Sequence, residues 1–247
     1  KVYSSIMGLN KRFLIYFMVF LTFFSCKKEK SESNLDFNYA YFPLEEGNFI
    51  SYNVDSINYN DFSTPVLVTR NNYQIKEVVA DEFIDLEGRV SHRIERFYRK
   101  SNDEDWAVLN VYYATINERT AEKIEENQRF IKLVFPVGEG KQWLGNKFID
   151  PSDELVFLKD WKYEMKDVNK PLIFGSLKFD STLAVLQQYD SSAINITSSI
   201  EKYAKNIGLV YKELRFLKSQ NNFGLPWEER AEQGYILRMS IIDYGKE

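Results

Sequence analysis

The chain has 247 residues, of which 28% are charged and 16% aromatic; its net charge is −4, and it holds one histidine and one cysteine. An acidic chain of this kind is a poor partner for nucleic acid or for anionic lipid surfaces. With so little cysteine and histidine, an internal disulfide framework is excluded and a transition-metal site has almost no ligands to draw on.

The first element is a run of twelve uncharged residues, Phe13–Phe24, preceded by Lys11-Arg12 and followed by Ser25-Cys26. A basic stretch, a short apolar stretch and a small residue form the layout of a secretory signal. Twelve residues are too few to cross about 30 Å of hydrocarbon as a helix. Cys26 resembles the acceptor of a bacterial lipobox, with Ser25, Thr22 and Leu21 behind it and Phe23 in place of the usual aliphatic residue. This reading makes residues 1–25 a lipoprotein signal peptide, with Met7 as candidate initiator, and Cys26 the acylated first residue of the mature chain. An ordinary secretion signal or an uncleaved anchor would use the same residues without acylation. Residues 26–37, with Lys27-Lys28-Glu29-Lys30-Ser31-Glu32-Ser33, carry almost nothing to bury and read as a flexible tether. Lys27, where an inner-membrane retention signal has Asp, favours the outer membrane, facing periplasm or medium. Cleavage would remove Lys1, Lys11 and Arg12 and no acid, taking the net charge from −4 to −7.

Residues 38–247 read as one β-rich domain, because apolar residues recur with period two over most of its length. In chain order the expected strands are Ile50–Val54, Val66–Val68, Tyr73–Val79, Val90–Arg99, Trp106–Ala114 and Arg129–Phe135. Further strands are expected at 154–158, 161–168, 172–179, 182–188, 208–217 and 234–244. Trp106–Ala114 is apolar on both faces and reads as a central strand. Asn71-Asn72, Ser101-Asn102-Asp103, Asp190-Ser191-Ser192 and Gln233-Gly234 read as turns. Only Thr120–Glu126 and Thr197–Lys205 have a composition open to helix, and neither has an amphipathic stripe. The expected fold is all-β: an antiparallel, strongly curved sheet or open barrel with few short helices.

Phe42-Pro43-Leu44-Glu45-Glu46-Gly47-Asn48-Phe49 is echoed by Phe135-Pro136-Val137-Gly138-Glu139-Gly140-Lys141-Gln142-Trp143. Each reads as a strand edge ended by Pro, a Gly turn and a new strand opened by an aromatic. A duplicated half-domain and convergent turn chemistry both account for the echo.

Three segments resemble uncharacterised lipoproteins of Bacteroidota. They are Tyr41-Phe42-Pro43-Leu44 with Gly47-Asn48, Lys132–Val137 with Glu139-Gly140-Lys141 and Trp143, and Tyr203–Glu213. The third also resembles part of the curved sheet of lipoprotein-carrier-like half-barrels. The resemblance implies an envelope location and a β-rich fold, and it carries no catalytic residue onto this chain.

His92 would have to serve any Ser-His-Asp arrangement, yet it lies on a strand face with Val90, Ile94 and Tyr98, and no G-x-S-x-G elbow exists. Turn carboxylates at Glu45/Glu46, Asp103/Glu104/Asp105 and Asp153/Glu154 are the candidates for a glycosidase-like pair. Asn102–Asp105 lacks the spacing of an EF-hand loop, and Gly138–Lys141 lacks that of a phosphate loop. Trp106, Trp143, Trp161 and Trp227 suit a sugar platform, an apolar groove or simple packing. Asp55-Ser56-Ile57 and Asp180-Ser181-Thr182 resemble a Bacteroidota O-glycosylation sequence, each at an expected strand end. The leading expectation is a non-catalytic envelope module binding an apolar ligand or an envelope partner, with no cofactor, metal or nucleic acid. The alternatives are a carbohydrate-active hydrolase with paired carboxylates and a structural assembly subunit.

Overall fold

Alternating apolar residues bury one face of a strand, and a long series of such strands must curl to hide that face. The computed structural model describes residues 37–150, 152, 157–221 and 223–247. The expected signal peptide, Cys26, the expected tether up to residue 36 and the Asp153/Glu154 pair lie outside the described residues.

The strands are β1 (Asn48–Asn60), β2 (Leu67–Ile84), β3 (Val90–Arg99), β4 (Ala107–Ile116), β5 (Thr120–Glu125), β6 (Gln128–Val134), β7 (Gln142–Leu144), β8 (Lys162–Phe174), β9 (Leu177–Ser191), β10 (Asn195–Ala204), β11 (Gly208–Lys218) and β12 (Gln233–Lys246). They form one antiparallel sheet in the order β6-β5-β4-β3-β2-β1-β12-β11-β10-β9-β8-β7. The first six wind outward from β1, the last six wind back, and β12 closes against β1 in the middle of the sheet. The two outer strands then meet. The Ile131 N–H of β6 donates to the Gly145 carbonyl beyond β7 at 2.8 Å, and the Trp143 indole N–H donates to the Ile131 carbonyl at 2.8 Å. The result is a nearly closed barrel, the all-β architecture that the period-two pattern led us to expect.

The inward face carries Tyr52 and Val54 of β1, Ile94 of β3 and Met239 of β12, with Leu183, Val185 and Tyr203 from the opposite wall. Past Val54 the burial of β1 changes face. Ile57 and Tyr59 point outward, where they join Ile196, Leu217 and Ile236 beneath the β11–β12 connection and its short helix α1 (Trp227–Arg230). At one end of the barrel a 3-10 turn, Tyr39–Tyr41, acts as a plug. Tyr41 is fully buried, and its hydroxyl lies 2.8 Å from Asn169 Oδ1 and 2.7 Å from Ser181 Oγ. Phe37 stacks on Tyr39 at 5.6 Å.

The sequence echo falls at matching places. Each copy precedes the first strand of a six-stranded meander, and the turns agree bond for bond. Gly47 N–H donates to Val79 O of β2 at 2.8 Å, and Gly140 N–H donates to Met165 O of β8 at 2.8 Å. Asn48 N–H reaches Glu45 O at 3.1 Å, and Lys141 N–H reaches Gly138 O at 3.2 Å. Both glycines have positive φ, 84° and 72°. The halves are therefore built alike, β1–β6 and β7–β12.

Several expectations are corrected. Asn71-Asn72 is not a turn: β2 runs through it for 18 residues, because both asparagines lie in register with β1. Thr120–Glu126 and Thr197–Lys205 are not helical; they hold β5 and β10, where neighbours on both sides satisfy the backbone. The run 172–179 is a hairpin, turning at Gly175 with φ 59°. β4 is central only at its end: Ala107, Val108 and Leu109 are exposed, and β5 pairs with it only from Tyr113 onward.

Gly234 tests the register of the β11–β12 hairpin. Its φ is 108°, and a Cβ there would lie 1.8 Å from Phe216 O. Gly234→Ala should cost more than the roughly 1–3 kcal/mol of a strained backbone alone, lowering Tm by about 10 °C. Gly175→Ala, with φ 59° and open space around the new methyl, should lose only about 1 kcal/mol. Thermal melts followed by circular dichroism check both.

Candidate functional site

β-Bulges decide which side chains enter the barrel, since an extra residue re-aims its neighbours. The β5–β6 register shifts between Ala121 and Glu122, leaving Lys132 as the unpaired residue of β6. Its side chain, 4% exposed, turns inward between two carboxylates: Glu201 of β10 at 3.0 Å, to which it donates, and Glu125 of β5 at 2.9 Å. Lys212 of β11 approaches the same pair at 3.5 and 3.6 Å. The Tyr203 hydroxyl donates to the second Glu201 oxygen at 2.6 Å. Next to this group, Glu77 of β2 lies 3.0 Å from Arg96 and 2.8 Å from Lys123. The Arg96 guanidinium lies 4.1 Å from the centre of the Tyr112 ring. A belt of buried ion pairs thus crosses the interior from β2, β3, β5 and β6 to β10 and β11.

The belt fixes its own protonation. Burial pushes the Glu201 and Glu125 carboxyls up, but the Lys132 and Lys212 ammonium groups outweigh it and hold both below the ordinary 4.5, Glu125 well below. Burial likewise opposes the charge on Lys132, and Glu125 and Glu201 more than restore it. Glu77 is also held low, burial being overcome by Lys123 and Arg96. Burial first, then Glu201, pushes Tyr203 well above its usual range. A general acid needs a carboxyl raised toward neutrality. These carboxyls are depressed and neutralised by lysine, so the belt is built for cohesion rather than proton transfer.

The residues singled out in the sequence lie elsewhere. Glu45 and Glu46 are exposed, Glu45 reaching Lys246 at 3.5 Å. Asp103, Glu104 and Asp105 are exposed on the β3–β4 turn, where Glu104 accepts the Lys100 N–H. Neither turn forms a carboxylate pair in a cleft. His92 Nε2 lies 3.9 Å from Glu82, its Nδ1 is buried without a partner, and burial lowers its pKa. It therefore has no hydroxyl to activate through Nδ1. The four tryptophans are dispersed. Trp161 is core, Trp143 stitches β6 to β7, Trp227 lies under Arg230, and Trp106 lies under Arg99. Ser56 and Ser181 fall inside β1 and β9 rather than at strand ends, and Ser181 Oγ is engaged by Tyr41. Among the described residues no group of three or more His, Cys, Asp or Glu is placed to hold a metal.

Beside the belt, an apolar cavity of about 70 Å³ lies between the Phe42–Leu44 segment and Ile50, Val79 and Leu209, with Glu77 and Lys123 on its wall. Small-molecule pockets occupy about 300–1,000 Å³. This cavity is too small for an acyl chain.

No family model matches the chain, and no curated protein matches it. Solved structures similar to the chain include two from Bacteroides and Parabacteroides. One, from Bacteroides fragilis, is described as an exported protein with a YmcC-like fold; it is 12% identical over 82% of this chain and 98% of that one, with a TM-score of 0.32. The other, from Parabacteroides distasonis, is described as a lipoprotein; it is 11% identical over 83% and 98%, with a TM-score of 0.33. Likeness at this level says nothing of activity.

Removing one partner of a buried ion pair leaves an uncompensated charge, at a cost of about 3–5 kcal/mol. Lys132→Met should therefore destabilise far more than Lys246→Ala on the surface, where an ion pair is worth about 0–1 kcal/mol. The pH dependence gives a second readout. The depressed carboxyls bind protons less readily native than unfolded. Their stabilisation is complete above the ordinary 4.5 and is lost as pH falls through their native values. In Lys132→Met, Glu125 and Glu201 rise instead, so the stability gap to the parent should narrow on going from about pH 7 to about pH 5. Urea melts at the two pH values measure it.

Proposed function

We propose that this chain is a lipid-anchored protein of the cell envelope, attached to the outer membrane through acylated Cys26. Its barrel would then be a non-catalytic docking module for a protein partner. The small interior cavity turns the choice away from an apolar ligand held inside the barrel. The observation that carries the docking reading is the free edge of β4. β5 pairs with β4 only over Tyr113–Ile116, so among the described residues Ala107–Tyr112 has β3 on one side alone. Val108 is 78% exposed, and Leu109 and Val111 are about half as exposed. The segment Ala107-Val108-Leu109-Asn110-Val111-Tyr112 has no charge and no proline. Such an edge is what natural sheets blunt with Lys, Pro or bulges. Beyond its pairing with β7, β8 is blunted in this way by Lys166, Lys170 and Pro171. An uncharged, unpaired edge suits a partner that donates an extended strand, with backbone bonds for affinity and side-chain contacts for specificity.

Two measurements test this reading. Cys26→Ser should abolish fatty-acid labelling and release the protein from membranes, since two or three acyl chains at about 0.8 kcal/mol per methylene supply the anchorage. Unchanged retention would sink the anchor. A photo-crosslinking residue at Val108 should trap one discrete protein in intact cells, and Val111→Lys should abolish that adduct. An adduct no stronger than at exposed Tyr189, remote from this edge, would remove the docking strand.

A further inference from the structure

We propose that the mouth of the barrel remote from the Tyr41 plug binds a neutral saccharide. Asn195, Lys218 and Gln233 pair in register across β10, β11 and β12 and form a row at that end of the sheet. The row is shared by two clefts. One, of about 560 Å³, is walled by Phe157, Phe216 and Tyr235 with Thr197 and Asp190. The other, of about 570 Å³, lies on the far side of the row among Asp61, Ser63, Thr64, Asn221 and Glu232. Both volumes fall in the range of ligand sites, and barrel mouths are a common place for them.

Three observations point to the ligand class. Phe157 is 56% exposed and Tyr235 36%, and their rings flank Phe216 at 5.6 and 5.4 Å. Aromatic surface left open in this way matches the C–H faces of a pyranose, because an aromatic face is electron-rich and apolar. The polar lining consists of amides, hydroxyls and carboxylates already oriented by their neighbours. Gln233 Nε2 donates to Asp61 Oδ2 at 2.5 Å, Asn221 Nδ2 to Glu232 Oε1 at 2.5 Å, and Ser63 Oγ to Pro65 O at 3.0 Å. Mixed donors and acceptors of this kind suit a polyhydroxylated ligand. Charge then narrows the class: Asp61, Asp190 and Glu232 outnumber Lys218, so uronates and phosphorylated sugars are repelled. Phe157 and Gly234 matter for shape. Gly234 keeps β12 close against Phe216 O, where any Cβ would collide, so the aromatic wall joins the polar row without a step. This site shares no residue with the β4 edge and stands or falls apart from it.

The full acylated chain, in amine-oxide micelles that contain no sugar, would be screened on a printed array of neutral and acidic glycans, and the strongest neutral oligosaccharide then titrated by calorimetry. Retention of neutral glycans is expected, with acidic counterparts at least about tenfold weaker. Phe157→Ala and Tyr235→Ala should each weaken binding about tenfold, with Tm nearly unchanged, since Phe157 is exposed and Tyr235 packs against Phe216 at the rim. Tyr113→Ala, in the other half of the barrel, should leave it intact. Retention of no neutral glycan, tighter binding of acidic ones, or full affinity in both aromatic variants with an unchanged Tm would each overturn the proposal.

Discussion

An ammonium group shut away from water holds the two walls of this barrel together. Lys132 comes from one meander and Glu201 from the other, and the sheet between them is long enough that only its curvature brings them within 3.0 Å. Neither charge is tolerable alone in such surroundings. The closed state is therefore the one in which β6 and β10 face each other at a single spacing; a flatter sheet would leave Lys132 with Glu125 alone and Glu201 with Lys212 alone.

The device that delivers Lys132 to the interior is local and small. A regular β6 would alternate strictly and send Lys132 to the opposite side from Leu133; the extra residue at the bulge lets both point inward. Gln187 has a comparable place on β9, where the register with β10 shifts and the Ser199 hydroxyl donates to its side chain at 2.6 Å. Irregularities in the ladder thus supply the polar interior, while the regular stretches supply the apolar one.

This division explains what could be read from the amino acids alone. β3 and β11 were legible almost residue for residue, because alternation over ten residues with turn-formers at the ends leaves one solution. Thr120–Glu125 was not, since its inward residues are Ala121, Lys123 and Glu125, which look like the face of a solvated helix until their partners on β2, β6 and β11 are known. The charged belt was hidden for the same reason: Lys132 and Glu201 are strangers in sequence, 69 residues apart. One trace was present in Ile131-Lys132-Leu133, a lysine bracketed by aliphatics within a strand. The exposed half of β4 was misread as central because apolarity on both faces marks an interior strand and a sticky edge alike; only the length of β5 separates the two. The barrel-mouth clefts draw on residues from Asp61 to Tyr235, scattered through turns whose composition is ordinary.

The pairing of β1 with β12 sets the order in which the chain can assemble. β1 finds β2 at once across a short connection, but its other edge waits for a strand that starts at Gln233. Until β12 is in place, that edge of β1 has no partner and the two meanders lack their pairing in the middle of the sheet. Pairings over such sequence distance are slow to form and expose apolar edges meanwhile. A chain with this topology keeps β1 half-paired until β12 docks, and the barrel stays open along that seam for as long as β12 is missing.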